Sequence, residues 1–224
     1  MNMSIVGNSL TAPTPIHSFS WPAIAAPCMP GVTLTDWAVD GNTGFRQLNS
    51  GQNALIAASK PDVILIGLNY NETIPAPGGV DNRTMDQVVA DALQLFDELK
   101  RDIPGVRLIH MQELSGRMAT PEYATFLNRV KNPAVGGRAW DGYLQMNYEA
   151  CVDAAALITP ITLIDPIHPA RVTCHMQAAE IVGQLIPWFK LPIQLPQWSS
   201  VEAFVTAFKA GDSYALAAAK SLTT

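Results

Sequence analysis

Residues 4–12 read SIVGNSLTA, an apolar run that stops at Gly7, Asn8 and Ser9. Residues 3–7 have the length and composition of a strand, so the turn behind them puts Ser9 at a strand's carboxyl end. Four further runs share this form, at residues 32–39, 62–67, 106–110 and 161–164. All are short, rich in Val, Ile and Leu, and bounded by turn residues. Uninterrupted apolar strands suit a parallel sheet covered on both faces.

Helical patterns lie between the strands. Residues 86–101 carry Val88, Val89, Leu93, Phe96 and Leu99 on one stripe with charges opposite. Pro104 and Gly105 then stop the helix. Residues 146–157 and 172–188 also read as helices, and Ser199 and Glu202 have capping-box spacing ahead of residues 201–208. Strands alternating with helices predict a three-layer α/β/α domain. Residues 113–143 read as a long irregular stretch, broken by Gly116, Pro121, Pro133, Gly136 and Gly137. The expected organisation is one domain over residues 1–190, with residues 191–224 as a helical extension packed on or beside it.

The composition narrows the function classes. Of 224 residues, 48% are hydrophobic and 15% charged, enough for a sizeable core. A net charge of -5 without a basic run argues against a nucleic-acid surface. No apolar run is long enough to span a bilayer. No charged leader with a separate apolar segment opens the chain, so the cytoplasm is the default expectation. A mature secreted chain or a virion component fits equally. Cys28, Cys151 and Cys174 are odd in number and far apart, without metal-ligand spacing. They are expected to be buried free thiols, and neither a metal nor a cofactor is called for.

A serine hydroxyl needs a base, usually histidine, and a third group to hold the imidazole. His17 lies in a loop beside a proline with no acid near it in sequence. His110 ends a strand, and His175 falls on the last long helix beside Cys174. His168 differs, because it stands in LIDPIHPAR (163–171) directly after a strand, with Asp165 three residues earlier. An acyl-transfer site also needs oxyanion donors. DWAVDGNTG (36–44) offers the Gly41 backbone N–H after the second strand, and ILIGLNYNE (64–72) offers the Asn69 amide after the third.

This arrangement resembles the SGNH or GDSL hydrolases, whose Ser, Gly, Asn and His each stand in their own block. The blocks here are Gly7-Asn8-Ser9-Leu10, Gly41-Asn42-Thr43, Gly67-Leu68-Asn69 and Asp165-Pro166-Ile167-His168-Pro169. Asn8 stands where the family usually has Asp beside the nucleophile, and Tyr70 where an Asp commonly follows the block Asn. The resemblance implies a flavodoxin-like sandwich on a five-stranded parallel sheet, and a serine esterase with Ser9, Asp165 and His168 as triad. Ser9, Gly41 and Asn69 would form the oxyanion hole. Trp140 and Tyr143 are candidates for the substrate pocket, since the irregular segment often shapes it in the family, and Tyr70 beside Asn69 is a third. A small ester or an acylated saccharide is the implied substrate, with short O-acetyl groups preferred. A silent carbohydrate-binding module and an acyltransferase are the alternative readings.

Overall fold

The computed structural model describes residues 1–12, 20–68, 71, 80–114, 121–163, 169–189, 201–213 and 215–216. Five strands, β1 (Asn2–Gly7), β2 (Thr33–Asp36), β3 (Val63–Gly67), β4 (Arg107–Leu114) and β5 (Gly142–Asn147), form one parallel sheet in the order β2-β1-β3-β4-β5. The register runs from Met3 opposite Val63 to Gly7 opposite Gly67, and from Val63 opposite Arg107 to Ile66 opposite His110. β1 and β3 therefore end level with each other.

The chain divides into two compact units, one of Met1–Ala12 with Val32–Gln145, the other of Pro13–Gly31 with Met146–Thr224. The first holds the sheet and four helices: α2 (Gly44–Asn49), α3 (Gln52–Ala58), α4 (Met85–Asp102) and α5 (Pro121–Lys131). On one sheet face, Val6, Ile64, Ile66 and Leu108 pack with Ile56, Leu95, Leu99, Phe126 and Val130. On the other, Met3, Ile5, Val63, Leu65, Ile109 and Met111 are equally buried. Both faces are covered, which is why these strands need no polar alternation.

Helix α4 follows the expected apolar stripe and adds a full capping box. Gln87 N–H donates to the Thr84 hydroxyl at 3.3 Å, and Thr84 N–H donates to the Gln87 side chain at 2.9 Å. At its far end Lys100 donates to the Val106 carbonyl at 2.8 Å and pairs with Asp141 at 2.6 Å. Asp141 also accepts the Leu108 N–H at 2.7 Å, which ties the start of β4 to the approach to β5.

Two elements depart from the sequence expectation. The stretch expected to be irregular contains α5, where Tyr123, Phe126, Leu127 and Val130 recur at helical spacing and are buried. Gly137 lets the chain turn back on that helix, since a Cβ there would lie 2.6 Å from the Arg129 carbonyl. The fifth strand is β5, not residues 161–164. Leu144 is fully buried on β5, whereas Ile161 is 65% exposed and Leu163 makes only an isolated antiparallel bridge to Pro169. The Ile161 N–H donates to the Thr159 hydroxyl at 3.3 Å, and the Thr162 carbonyl accepts the Ala170 N–H at 2.9 Å and the Thr173 hydroxyl.

The second unit contains α1 (Trp21–Ala25), α6 (Tyr148–Ala156), α7 (Arg171–Phe189) and α8 (Val201–Lys209). Its core joins Cys151, Ala154 and Ala155 of α6 with Val172 and Met176 of α7 and Phe204 of α8. The Glu180 carboxylate accepts the Val201 N–H at 3.0 Å and so caps α8. Ser199 and the expected boundary at residue 190 lie outside the described residues. Among the described residues no helix is long and apolar enough to cross a membrane.

Candidate active site at the carboxyl edge of the sheet

Ser9 sits two residues past Gly7 at the carboxyl end of β1, in a tight turn, and is 6% exposed. Asn8 builds that turn. Its side-chain carbonyl accepts the Leu10 N–H at 3.0 Å, and its backbone carbonyl accepts the Thr11 and Ala12 N–H groups at 3.0 and 2.9 Å. Gly7 is required beneath it, since a Cβ there would meet the Thr11 side chain at 2.9 Å. The Ser9 hydroxyl donates to no group among the described residues.

Strand β2 runs alongside β1, and its continuation keeps pace with it. Trp37 N–H donates to the Ile5 carbonyl at 2.8 Å and Val39 N–H to the Gly7 carbonyl at 3.1 Å. The chain then turns at Gly41, whose φ of +67° is open to glycine at little cost. Its carbonyl accepts Arg46 Nη1 at 2.9 Å. Among the described residues its N–H is engaged by nothing. The next carbonyl, that of Asn42, accepts the Asn71 amide at 3.0 Å. Asn42 itself is 4% exposed and donates to Gln47 Oε1 at 2.8 Å and to the Gly7 carbonyl at 3.4 Å. One buried amide thus joins the Gly41 turn to the residue that precedes the Ser9 turn.

An acid–base cluster holds this turn from outside. Arg46 Nε pairs with Asp81 Oδ1 at 2.7 Å, and the Thr43 hydroxyl donates to the other Asp81 oxygen. Thr43 also accepts the Arg46 N–H at 3.2 Å as the cap of α2. Nearby, Arg83 grips Asp91 at 2.6 Å and lies over the Phe45 ring at 4.4 Å. Burial pushes the Asp91 carboxyl above its usual range, while Arg83 draws it back. Arg46, Asp81 and Asn71 escaped the sequence reading, because nothing local marks a pair 35 residues apart.

Other expected site residues are placed as follows. Trp140 is 9% exposed and packs edge-on against Phe96 and His110, with ring centroids at 5.0 and 4.7 Å. The Tyr143 hydroxyl donates to the Lys131 carbonyl at 3.3 Å, and its ring faces His110 at 6.5 Å. His175 is half-buried on α7, and burial pushes its imidazole pKa down. His17, Asn69, Tyr70, Asp165 and His168 lie outside the described residues. Among the described residues no cluster of three His, Cys, Asp or Glu side chains could hold a metal.

Known structures share this architecture. A psychrotrophic esterase from Pseudoalteromonas superposes with a TM-score of 0.63 at 14% identity, over 84% of this chain and 98% of that one. The chain has the fold of the SGNH hydrolases. A protein assigned as a GDSL-like lipase from Parabacteroides merdae matches at a TM-score of 0.58 and 14% identity, over 81% of this chain and 93% of that one. An acetylxylan esterase from Geobacillus stearothermophilus matches at 0.58 and 18% identity, over 83% and 93%. No protein-family model and no curated protein sequence matches the chain. Open α/β sheets bind ligands outside the carboxyl ends of their strands, the edge where the Ser9 and Gly41 turns emerge here.

Proposed function

We propose that this chain is a serine esterase that cleaves short acyl groups, O-acetyl esters of saccharides in particular. The observation that carries this reading is the pair of turns at the ends of β1 and β2. One presents a hydroxyl and the other a backbone N–H, neither engaged among the described residues. The acetylxylan esterase among proteins of the same fold favours an acetylated sugar as substrate.

In this reading the Ser9 hydroxyl attacks the ester carbonyl as His168 takes its proton, and Asp165 orients the imidazole and supports its positive charge. Negative charge developing on the carbonyl oxygen is met by the Ser9 and Gly41 N–H groups and the Asn69 amide. The alcohol departs with the proton from His168, leaving Ser9 acylated. Water, deprotonated by the same histidine, then attacks the acyl carbonyl and frees Ser9 and the acid. Tyr70 stands beside the donor Asn69 in sequence and is assigned to the acyl pocket. Residues 1–190 form the catalytic domain in this proposal, with residues 191–224 as its extension.

The test is hydrolysis of p-nitrophenyl acetate and of acetylated xylo-oligosaccharides, with fluorophosphonate labelling as a second readout. Ser9→Ala is expected to abolish turnover and labelling alike. Full turnover by that variant would reject Ser9 as nucleophile. A wild-type chain that neither turns over nor labels would be a silent module.

A further inference from the structure

We infer that Arg46 and Asp81 are positioning residues for the oxyanion donor, holding the Gly41 N–H in its productive direction; this inference rests on the esterase reading above. The argument begins with the turn itself. Two successive carbonyls, Gly41 and Asn42, are drawn outward by Arg46 and Asn71, at 2.9 and 3.0 Å. A glycine at φ +67° has no Cβ to fix its conformation, so its N–H direction depends on what grips its neighbouring atoms. Arg46 supplies that grip. Nη1 binds the Gly41 carbonyl, and the absence of a Cβ admits it this close, since a Cβ there would lie 3.2 Å from Nη1.

A long arginine cannot hold a backbone in place unless its own end is fixed. Asp81 fixes it. One carboxylate oxygen takes Arg46 Nε at 2.7 Å, and the other takes the Thr43 hydroxyl at the start of the same helix. Guanidinium, carboxylate and hydroxyl close a ring around residues 41–46. Asp81 is in turn carried by the segment whose Val80 N–H donates to the Asn71 carbonyl at 3.2 Å. The Arg46 side chain is 46% exposed and that of Asp81 13%. With its guanidinium half in solvent, the ion pair contributes modestly to overall stability. Its geometric consequence is larger, because it sets where a donor points.

The pair is therefore expected to govern kcat more than folding. Arg46→Met and Asp81→Asn should each lower kcat for p-nitrophenyl acetate by about 10- to 100-fold, the range between partial misplacement and loss of one donor. KM should stay within about twofold, since the oxyanion forms only in the transition state. Combining the two substitutions should add little to either alone, because both break one device. Arg46→Lys should recover part of the loss, as it keeps the charge without the fork. Melting temperature and the fraction of Ser9 that titrates with a fluorophosphonate under saturating conditions should match wild type.

Two controls separate the claims. If Ser9→Ala is inactive while Arg46→Met and Asp81→Asn keep kcat within twofold of wild type, the positioning role is wrong and the esterase reading stands. Loss of activity that tracks a fall in melting temperature or in titratable Ser9 makes the pair structural and likewise overturns the inference. Absence of any Ser9-dependent turnover or labelling in wild type overturns both.

Discussion

Replacing His110 tests the interior of the first unit quantitatively. The ring lies on β4 opposite Ile66, is 2% exposed, and sits edge-on to Trp140. Its Nδ1 has no hydrogen-bond partner among the described residues. Burial, and to a smaller extent the Lys131 cation, pushes its pKa from 6.5 down to about 3. The folded protein then keeps this ring neutral through a range where the unfolded chain takes up a proton. The sign follows: the contribution to stability is complete above the unfolded pKa of 6.5 and is lost as pH falls towards about 3. At about pH 5 the unfolded chain gains about 2 kcal/mol from this one proton. His110→Leu removes that term and leaves no unpaired ring nitrogen. Urea denaturation of both proteins at about pH 8 and about pH 5 measures it. Wild type is expected to lose about 2 kcal/mol more than the variant between the two conditions. His175, whose pKa is also pushed down, is present in both and cancels. Parallel losses, within about 0.5 kcal/mol, would refute the claim that this imidazole is desolvated and neutral in the fold.

Gly7→Ala drives a methyl group into Thr11 at 2.9 Å beneath the Ser9 turn. It is expected to cost about 1–3 kcal/mol of stability by overpacking, read from chemical denaturation. If the proposed esterase reading holds, kcat should drop at least about tenfold even where the variant is fully folded by circular dichroism, because Ser9 moves. The three cysteines offer a check on burial. Burial drives the Cys151 thiol well above its usual range and Cys174 to about 12, while Cys28 is only half-buried. A thiol reagent should modify Cys28 quickly in the native protein and the other two only after denaturant is added; equal rates for all three would contradict the packing of α6 and α7.

The sheet's centre was legible because its strands are buried on both faces, and an apolar run such as residues 62–67 has few other uses. The boundaries of α4 were legible for the converse reason, with one apolar stripe and a Pro-Gly stop. Misreading β5 has a physical cause. It carries Gly142, Tyr143, Gln145 and Asn147, and the continuous apolar signature of the inner strands is missing. Residues 161–164 carry that signature, yet the Ile161 N–H turns back to the Thr159 hydroxyl and the Thr162 carbonyl is taken by the Ala170 N–H and the Thr173 hydroxyl. Helix α5 was hidden by breakers counted along the chain, although its apolar positions kept helical spacing.

For the proposed site, the sequence announces the groups assigned the chemistry and is silent on the groups proposed to aim them. Ser9 and Gly41 stand in short blocks, since each must follow directly on a strand end. Arg46 and Asp81 obey no such constraint. What matters for them is the reach of a guanidinium across a turn, and a contact between residues 35 apart leaves no local pattern.

Asn8 shows how a departure from a motif is weighed once the contacts are known. The hydrolases that this chain resembles usually have a carboxylate beside the serine, and an amide there removes a charge from a fully buried position. The contact that shapes the turn is an acceptor oxygen on the Leu10 N–H, and both side chains supply one. The backbone carbonyl of the same residue takes two further N–H groups whichever side chain is present. Asn8 therefore preserves the geometry under Ser9. Its amide nitrogen has no hydrogen-bond partner among the described residues, which is a cost in stability. A motif can thus lose its charge at this position while keeping the shape of its turn.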